Sequence, residues 1–378
     1  MEFRDLKKQY KNLKSEMDVA IQNVLDCSNY ISGNQVAELE AQLAEYVGTK
    51  YCVTCANGTD ALSLVLMAWG IRQGDAVFVP DFTFFASGEV VSFEGATPVF
   101  YDVDKNTYNA DPESLEKAIR GVVEEGKLRP KAIIAVDLFG LPANYPEIEK
   151  IAKKYNLLVL EDGAQGFGGQ INEKKVCSFG DAATTSFFPA KPLGCYGDGG
   201  AVFTNDRDIA DYIKSVRVHG KGSFKYDNIR IGRNSRLDTL QAAVLQVKLK
   251  AFVDYEVKDV NKVAGWYTEY LKNHVVVPQI SEGFCSSWAQ YTIQLPNRTI
   301  RDGLQEYLKS QKIPSMVYYP KPMHKQAAFS NVHEYIECKV TEQLCDTVLA
   351  LPMHPYLTKE ECTTVSENVI QYLEQISR

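Results

Sequence analysis

Lys191 stands in a segment built for covalent chemistry. It lies within Ser186-Phe187-Phe188-Pro189-Ala190-Lys191-Pro192-Leu193-Gly194, and the run Gly197-Asp198-Gly199-Gly200 follows. Flanking aromatics exclude water from such a turn, and Pro189 and Pro192 stiffen it. A desolvated lysine gives up its proton more easily and becomes nucleophilic. Upstream, the apolar run 157–160 ends in Glu161-Asp162. Ligands of open α/β sheets bind beyond the carboxyl ends of strands, where Asp162 would stand. One cofactor suits the pair: pyridoxal phosphate (PLP), which takes a lysine Schiff base and an acid beside its pyridine nitrogen. The acid keeps the ring charged as an electron sink. The lysine, once displaced by an amino donor, can move a proton between the substrate carbon and the cofactor.

Further residues could complete such a site. Asn57-Gly58-Thr59 lies between a strand and a helix, where free backbone N–H groups, the helix dipole and the Thr59 hydroxyl can hold a phosphate. The alternative is an ordinary loop capped by Thr59 or Asp60. Phe82 could stack on a flat ring or pack in a core. Gln165, three residues after Asp162, could reach the same cofactor. Arg236, in Asn234-Ser235-Arg236-Leu237-Asp238, could clamp a phosphate or carboxylate. Tyr30, His219, Tyr318, Tyr319 and His324 are weaker polar candidates. Cys52 and Cys55 form a lone C-x-x-C that reads as two small buried residues of a strand. No second such motif or spaced His pair completes a metal site, so none is expected.

The elements that must position these residues can be read from periodicity. Apolar residues recur at helical spacing over 36–47, and Gly48 ends that helix. Strand-like runs over 51–55, 77–80, 98–103, 131–136 and 157–160 alternate with helical patterns at 61–69, 115–119 and 148–155. That alternation indicates an α/β domain with a largely parallel sheet. Beyond residue 204 the pattern turns mainly helical. An amphipathic stretch over 239–270 would link two domains, and a strand at 289–295 with helices at 301–311 and 359–376 would form a smaller α+β domain.

Bulk properties narrow the function. The chain has 378 residues, 45% hydrophobic and 24% charged, with a net charge of −7. It is long enough for two domains, and no segment is strongly basic, which argues against nucleic acid as the main partner. No stretch approaches the roughly 20 apolar residues of a membrane span. The N-terminus lacks a signal-peptide core, and nine scattered cysteines do not form a disulfide framework, so the cytoplasm is expected.

Five motifs occur in order: Ala56-Asn57-Gly58-Thr59-Asp60-Ala61-Leu62, Glu161-Asp162-Gly163-Ala164-Gln165, Ser186 to Lys191, Gly197-Asp198-Gly199-Gly200-Ala201, and Asn234 to Asp238. Together they resemble the DegT/DnrJ/EryC1/StrS aminotransferases, the sugar branch of fold-type I PLP enzymes. Within that family the likeness is greatest to enzymes that aminate a UDP-linked 3-keto-hexuronic acid in bacterial O-antigen synthesis. The resemblance implies a large α/β domain over 1–250, with a mostly parallel seven-stranded sheet flanked by helices, and a small α+β domain over 251–378. It implies Lys191 as the Schiff-base lysine and Asp162 as the pyridine partner. Gly58, Thr59 and Ser186 would hold the phosphate, with Asn234 reaching in from a neighbouring subunit of a homodimer. Phe82 would stack on the ring and Gln165 would contact its 3′-hydroxyl. Arg236, Tyr30, Tyr318 and Tyr319 would face the nucleotide sugar. L-Glutamate would donate the amine and leave as 2-oxoglutarate. Two other readings share these residues: C4 amination of a 4-keto sugar, and a PLP-binding regulator without catalysis. Retention of Lys191, which the family's dehydratases replace by His, favours transamination. The chain departs from the pattern at Gly163, where Ala is usual, and at Tyr318, where uronate-type enzymes carry His.

Overall fold

The structure is a computed structural model that describes residues 1–224 and 226–376. Two helices come first, α1 (Leu6–Cys27) and α2 (Asn34–Val47). Helix α2 stops at Gly48, whose φ of 87° lies in the left-handed region that favours glycine. Strands and helices then alternate: β1 (Tyr51–Cys55), α3 (Gly58–Ala68), β2 (Asp75–Pro80), α4 (Ala86–Phe93), β3 (Thr97–Tyr101), α5 (Pro112–Glu125), β4 (Arg129–Val136), α6 (Tyr145–Tyr155) and β5 (Leu158–Asp162). Helix α5 shows how locally these elements are specified. Asp111 accepts the N–H groups of Glu113 and Ser114, Pro112 opens the first turn, and Gly126 closes the helix in the left-handed region.

The short strands β6 (Gln170–Ile171) and β7 (Lys174–Lys175) precede β8 (Ala182–Ser186) and β9 (Gly200–Thr204). Then come α7 (Arg207–Val216), α8 (Thr239–Ala251), α9 (Val257–Leu271), β10 (Phe284–Cys285), β11 (Tyr291–Gln294), α10 (Arg298–Ser310), α11 (Lys339–Thr347), β12 (Val348–Leu351) and α12 (Lys359–Ile376). The amphipathic stretch read over 239–270 is α8 and α9, joined through a π-helical turn at Phe252–Glu256.

Seven strands form one sheet in the order β1-β9-β8-β5-β4-β2-β3. All neighbours are parallel except the two pairings of β9, with β1 and with β8. The α/β architecture with a mostly parallel seven-stranded sheet is therefore present. Alternate residues of one strand go to opposite faces. Val77, Val79, Ile134, Leu160 and Val202 join the core under α3, α4 and α7. Phe78, Ile133, Ala135 and Val159 pack under α5 and α6. Cys52, Ala183, Ala201 and Phe203 meet α1, α2 and α8. Burial on both faces is why the central strands read as continuous apolar runs.

A separate core forms where β11 and β12 pair, Tyr291 opposite Leu351, against α9, α10 and α12. The chain passes from one core to the other at the π-helical turn. Ala251 and Phe252 belong to the sheet side, and Val260 and Val263 to the C-terminal side. The C-terminal ends of β4 and β5, the β8–β9 connection and the start of α3 all meet at one edge of this framework.

Candidate active site

Asp162, the last residue of β5, is buried. Its Oδ2 accepts a hydrogen bond from Ser87 Oγ at 2.7 Å, and its Oδ1 accepts the Ala164 N–H at 3.2 Å. Burial pushes the Asp162 carboxyl up from its ordinary range. The Ser87 and Ala164 donors and the Lys191 charge pull the other way. Lys191 faces it from the β8–β9 connection. Its backbone N–H bonds the Phe188 carbonyl at 2.9 Å, closing the turn that the two prolines frame. The amine is held below the usual lysine range by burial, with Asp162 opposing and the Arg4 guanidinium adding to the effect. Each of these two charges acts on the other, secondary to burial. Ser87 was not foreseen. It lies on α4, and no local pattern aims it at a carboxylate on β5.

The Asn57-Gly58-Thr59 segment opens α3. Its cap is neither Thr59 nor Asp60 but Asn57, whose Oδ1 accepts the Asp60 N–H at 2.7 Å. Gly58 is pressed against the end of β8, and a Cβ built there would fall 2.7 Å from Ser186 Cβ and 3.2 Å from its Oγ. Gly200 closes the other side, its notional Cβ 2.4 Å from the Asn57 carbonyl oxygen. Gly58, Thr59 and Ser186 therefore surround one helix N-terminus with no room for a further side chain. Gly58→Ala is expected to weaken cofactor binding about tenfold or more, since the overpacking costs about 1–3 kcal/mol. Titration of the stripped protein with PLP checks this, and unchanged affinity would remove Gly58 from the cradle.

Phe82 is only 1% exposed and packs edge-on against Phe139 and Tyr319, with Tyr108 beyond. Its ring thus sits among Phe139, Tyr319 and Tyr108. The aromatic left open in this segment is Phe84, 54% exposed and tilted against Tyr319 at 6.3 Å. Gln165 Oε1 accepts the Phe139 N–H at 2.8 Å, and its Nε2 donates to Tyr319 Oη at 2.9 Å. Gln165 thus ties Tyr319 to the strand-end region. Tyr318 contacts Phe3, with ring centroids 6.2 Å apart. Gly163 is explained by its neighbours, because Cys177 Sγ and Val176 Cγ1 each lie 2.9 Å from where its Cβ would be.

Asn234 and Arg236 line a cleft of about 440 Å³ with Ala56, Asp198, Asp238 and Gln241. Ser235 Oγ accepts the Ala56 N–H at 3.1 Å, which sets this segment beside the cradle. Tyr30 is 45% exposed and lies alongside, its carbonyl accepting the Thr239 N–H at 2.9 Å. His219 and Arg236 share a second cleft with Ile229 and Ile231. His324 packs instead behind the site. Its Nδ1 lies 2.6 Å from Asp81 Oδ2, and its N–H donates to Asp81 Oδ1 at 2.8 Å. Cys338 is near enough to share an ion with them, but Asp81 is already taken up by His324. Cys52 and Cys55 point into different cores, one under α2 and one under α3, and burial raises both thiols, Cys55 to about 12. A redox pair is excluded by that geometry.

Two further carboxyls lie behind Asp162. Glu161 accepts the N–H groups of Cys177 and Phe179 at 2.6 and 2.7 Å. Asp137 accepts Tyr145 Oη and the Ala143 N–H, and burial pushes both carboxyls up while they face each other. Burial of two neighbouring acids disfavours charge on both at once.

These pieces fit PLP. A glycine-lined helix N-terminus that any Cβ would fill can take its phosphate, a buried carboxylate can meet its ring nitrogen, and a lysine of lowered basicity can meet its aldehyde. The model of the DegT/DnrJ/EryC1/StrS aminotransferase family matches residues 11–370. A UDP-2-acetamido-2-deoxy-3-oxo-D-glucuronate aminotransferase of Pseudomonas aeruginosa is 46% identical over 358 residues, 94% of this chain and 96% of that protein. A UDP-N-acetyl-3-dehydro-alpha-D-glucosamine 3-aminotransferase of Acidithiobacillus ferrooxidans is 40% identical over 96% of this chain and 95% of that protein. The crystal structure of an aminotransferase of the same family from Brucella abortus superimposes with a TM-score of 0.96 at 48% identity, covering 98% of this chain and 99% of that one.

Proposed function

Because the chain belongs to the DegT/DnrJ/EryC1/StrS aminotransferase family, we propose that it moves the amino group of L-glutamate to C3 of a UDP-linked 3-keto sugar, with PLP as cofactor. The observation that carries the chemistry is the Lys191–Asp162 pair beside the Gly58–Ser186 cradle. The relatives from Pseudomonas aeruginosa and Acidithiobacillus ferrooxidans, both named for 3-keto UDP-sugars, support the substrate. The setting would be bacterial surface polysaccharide synthesis.

PLP supplies the electron sink that makes the amino-carbon proton acidic. This chain's residues do the rest. Lys191 anchors the cofactor, and after displacement its amine takes the proton from the substrate carbon and returns it on the far side of the exchange. Asp162, steadied by Ser87 and the Ala164 N–H, holds the positive charge on the ring nitrogen. Gly58, Thr59 and Ser186 would hold the phosphate, and Phe82 would stack on the ring, with the exposed Phe84 beside Tyr319 a second aromatic within this segment. Gln165 positions Tyr319, while Tyr318, Tyr30 and Arg236 meet the nucleotide sugar. Asn234, exposed on one chain, would reach into the site of a second copy, which makes the working unit a homodimer. Donor and acceptor use one site in turn, which gives ping-pong kinetics.

The test is a half-reaction. The protein is converted with L-glutamate until its visible band is lost, and keto-sugars are then supplied singly. Return of the band with UDP-3-keto sugars, ahead of UDP- or dTDP-4-keto sugars, is the expected result. Faster return with a 4-keto sugar would reassign the carbon, and tight DNA binding with no exchange at all would revive the regulator reading.

A further inference from the structure

Arg4 lies far from Lys191 in sequence but touches its turn. Its Nη2 donates to the Lys191 carbonyl at 2.8 Å and to the Pro192 carbonyl at 3.2 Å. The surrounding segment is strapped down on both sides. The Phe3 carbonyl accepts the Met353 N–H at 3.0 Å, Lys8 Nζ donates to the Tyr356 carbonyl at 2.7 Å, and Gln9 donates to Glu256 at 2.9 Å. Lys248, buried on α8, donates to the Gly194 carbonyl from the other side. The lysine turn is thus gripped through its carbonyls by two cations, the part-buried Arg4 and the buried Lys248.

We propose that Arg4 is a positioning residue for Lys191: by clamping the Lys191 and Pro192 carbonyls it fixes the turn and sets a permanent positive charge beside the amine that must bond to the cofactor. This rests on the reading of Lys191 as the attachment point. Attachment forms a C=N bond between Nζ and the aldehyde carbon and releases the aldehyde oxygen as one water, so the amine must arrive without its extra proton. A neighbouring cation disfavours the ammonium form, and a guanidinium cannot itself lose its charge at any working pH. The charges that act on the amine are Asp162 from β5, which favours the ammonium, and Arg4, held at the Lys191 carbonyl, which opposes it. Around Arg4 stand Glu256 and Tyr356, with Lys248 and His354 feeling its charge in turn. Removing Arg4 leaves Asp162 as the dominant charge at the amine, so the proton is held to higher pH.

The experiment follows the rate at which the visible band appears when PLP is added to the stripped full-length protein between pH 6 and 10. Arg4→Gln is expected to move the midpoint of that profile up by about one unit, which is a tenfold slower attachment on the acid side. The rate should recover at the alkaline end. Arg4→Lys keeps the charge and should hold the midpoint near that of the unmodified protein. Arg4→Met replaces the glutamine variant should that one fail to fold by melting temperature. A neutral variant with an unshifted midpoint, whatever its final amplitude, overturns the proposal, since a purely structural role would lower amplitude alone. Lys191→Ala run alongside separates the two ideas: a band that forms without Lys191 defeats the reading on which this rests.

Discussion

Lys191→Ala is expected to bind PLP without developing its visible band and to lose turnover by about 10³-fold or more. Removing a positioned acid–base group alone typically costs 10²–10⁴-fold, and this lysine is also the anchor. The site predicts how the variant fails. Gly58, Thr59, Ser186 and Asp162 remain, so cofactor affinity should fall far less than kcat. A small primary amine added to the buffer should restore part of the exchange, because the missing function is a base at a defined position. Full turnover, or a visible band in the variant, would show that another group does this work.

Asp162→Asn is the second large effect. The amide keeps a hydrogen bond to Ser87 but cannot hold a positive charge on the ring nitrogen, and kcat should fall on the order of 10²–10³-fold, as for other preorganised charge-stabilising groups. The visible band should survive because Lys191 is intact. The sign of a second effect is fixed by the same electrostatics. Asp162 stabilises the Lys191 ammonium, so its loss should move the attachment midpoint to lower pH, opposite to the neutral Arg4 variants. A pH titration of band formation separates the two directions. An unchanged kcat would detach Asp162 from the ring nitrogen.

Much of this was legible in the sequence, for reasons that differ by residue. The turn around Lys191 and the strand-end Asp162 announce themselves through local chemistry: prolines, aromatics, glycines, and an apolar run ending in acids. The buried strands β2, β4 and β5 are visible because parallel strands covered on both faces are apolar throughout. Strand β8 is Ala182-Ala183-Thr184-Thr185-Ser186, too small and polar to stand out, and it is a strand because β5 and β9 flank it. Phe82 and Phe84 are two residues apart and chemically alike, and only the packing of Phe139 and Tyr108 decides which one is buried. Ser87 and Arg4 reach their partners across the fold, 75 and 187 positions away. No spacing rule finds such pairs.

The order of strands also bears on how the protein comes to life on the ribosome. Edge strand β1 is paired with β9 alone, and Cys55 meets Gly200 about 145 residues further along the chain. Gly200 also closes the pocket wall at Asn57. At 5–20 residues per second, the first half of that wall waits roughly 7–30 seconds for its other half to be synthesised. During that interval the open edge of β1 lacks its strand partner, while α2 already packs on β1 and α3 on α4. PLP therefore cannot act as an early template for this chain. The wall it would meet is complete only once β9 has joined β1.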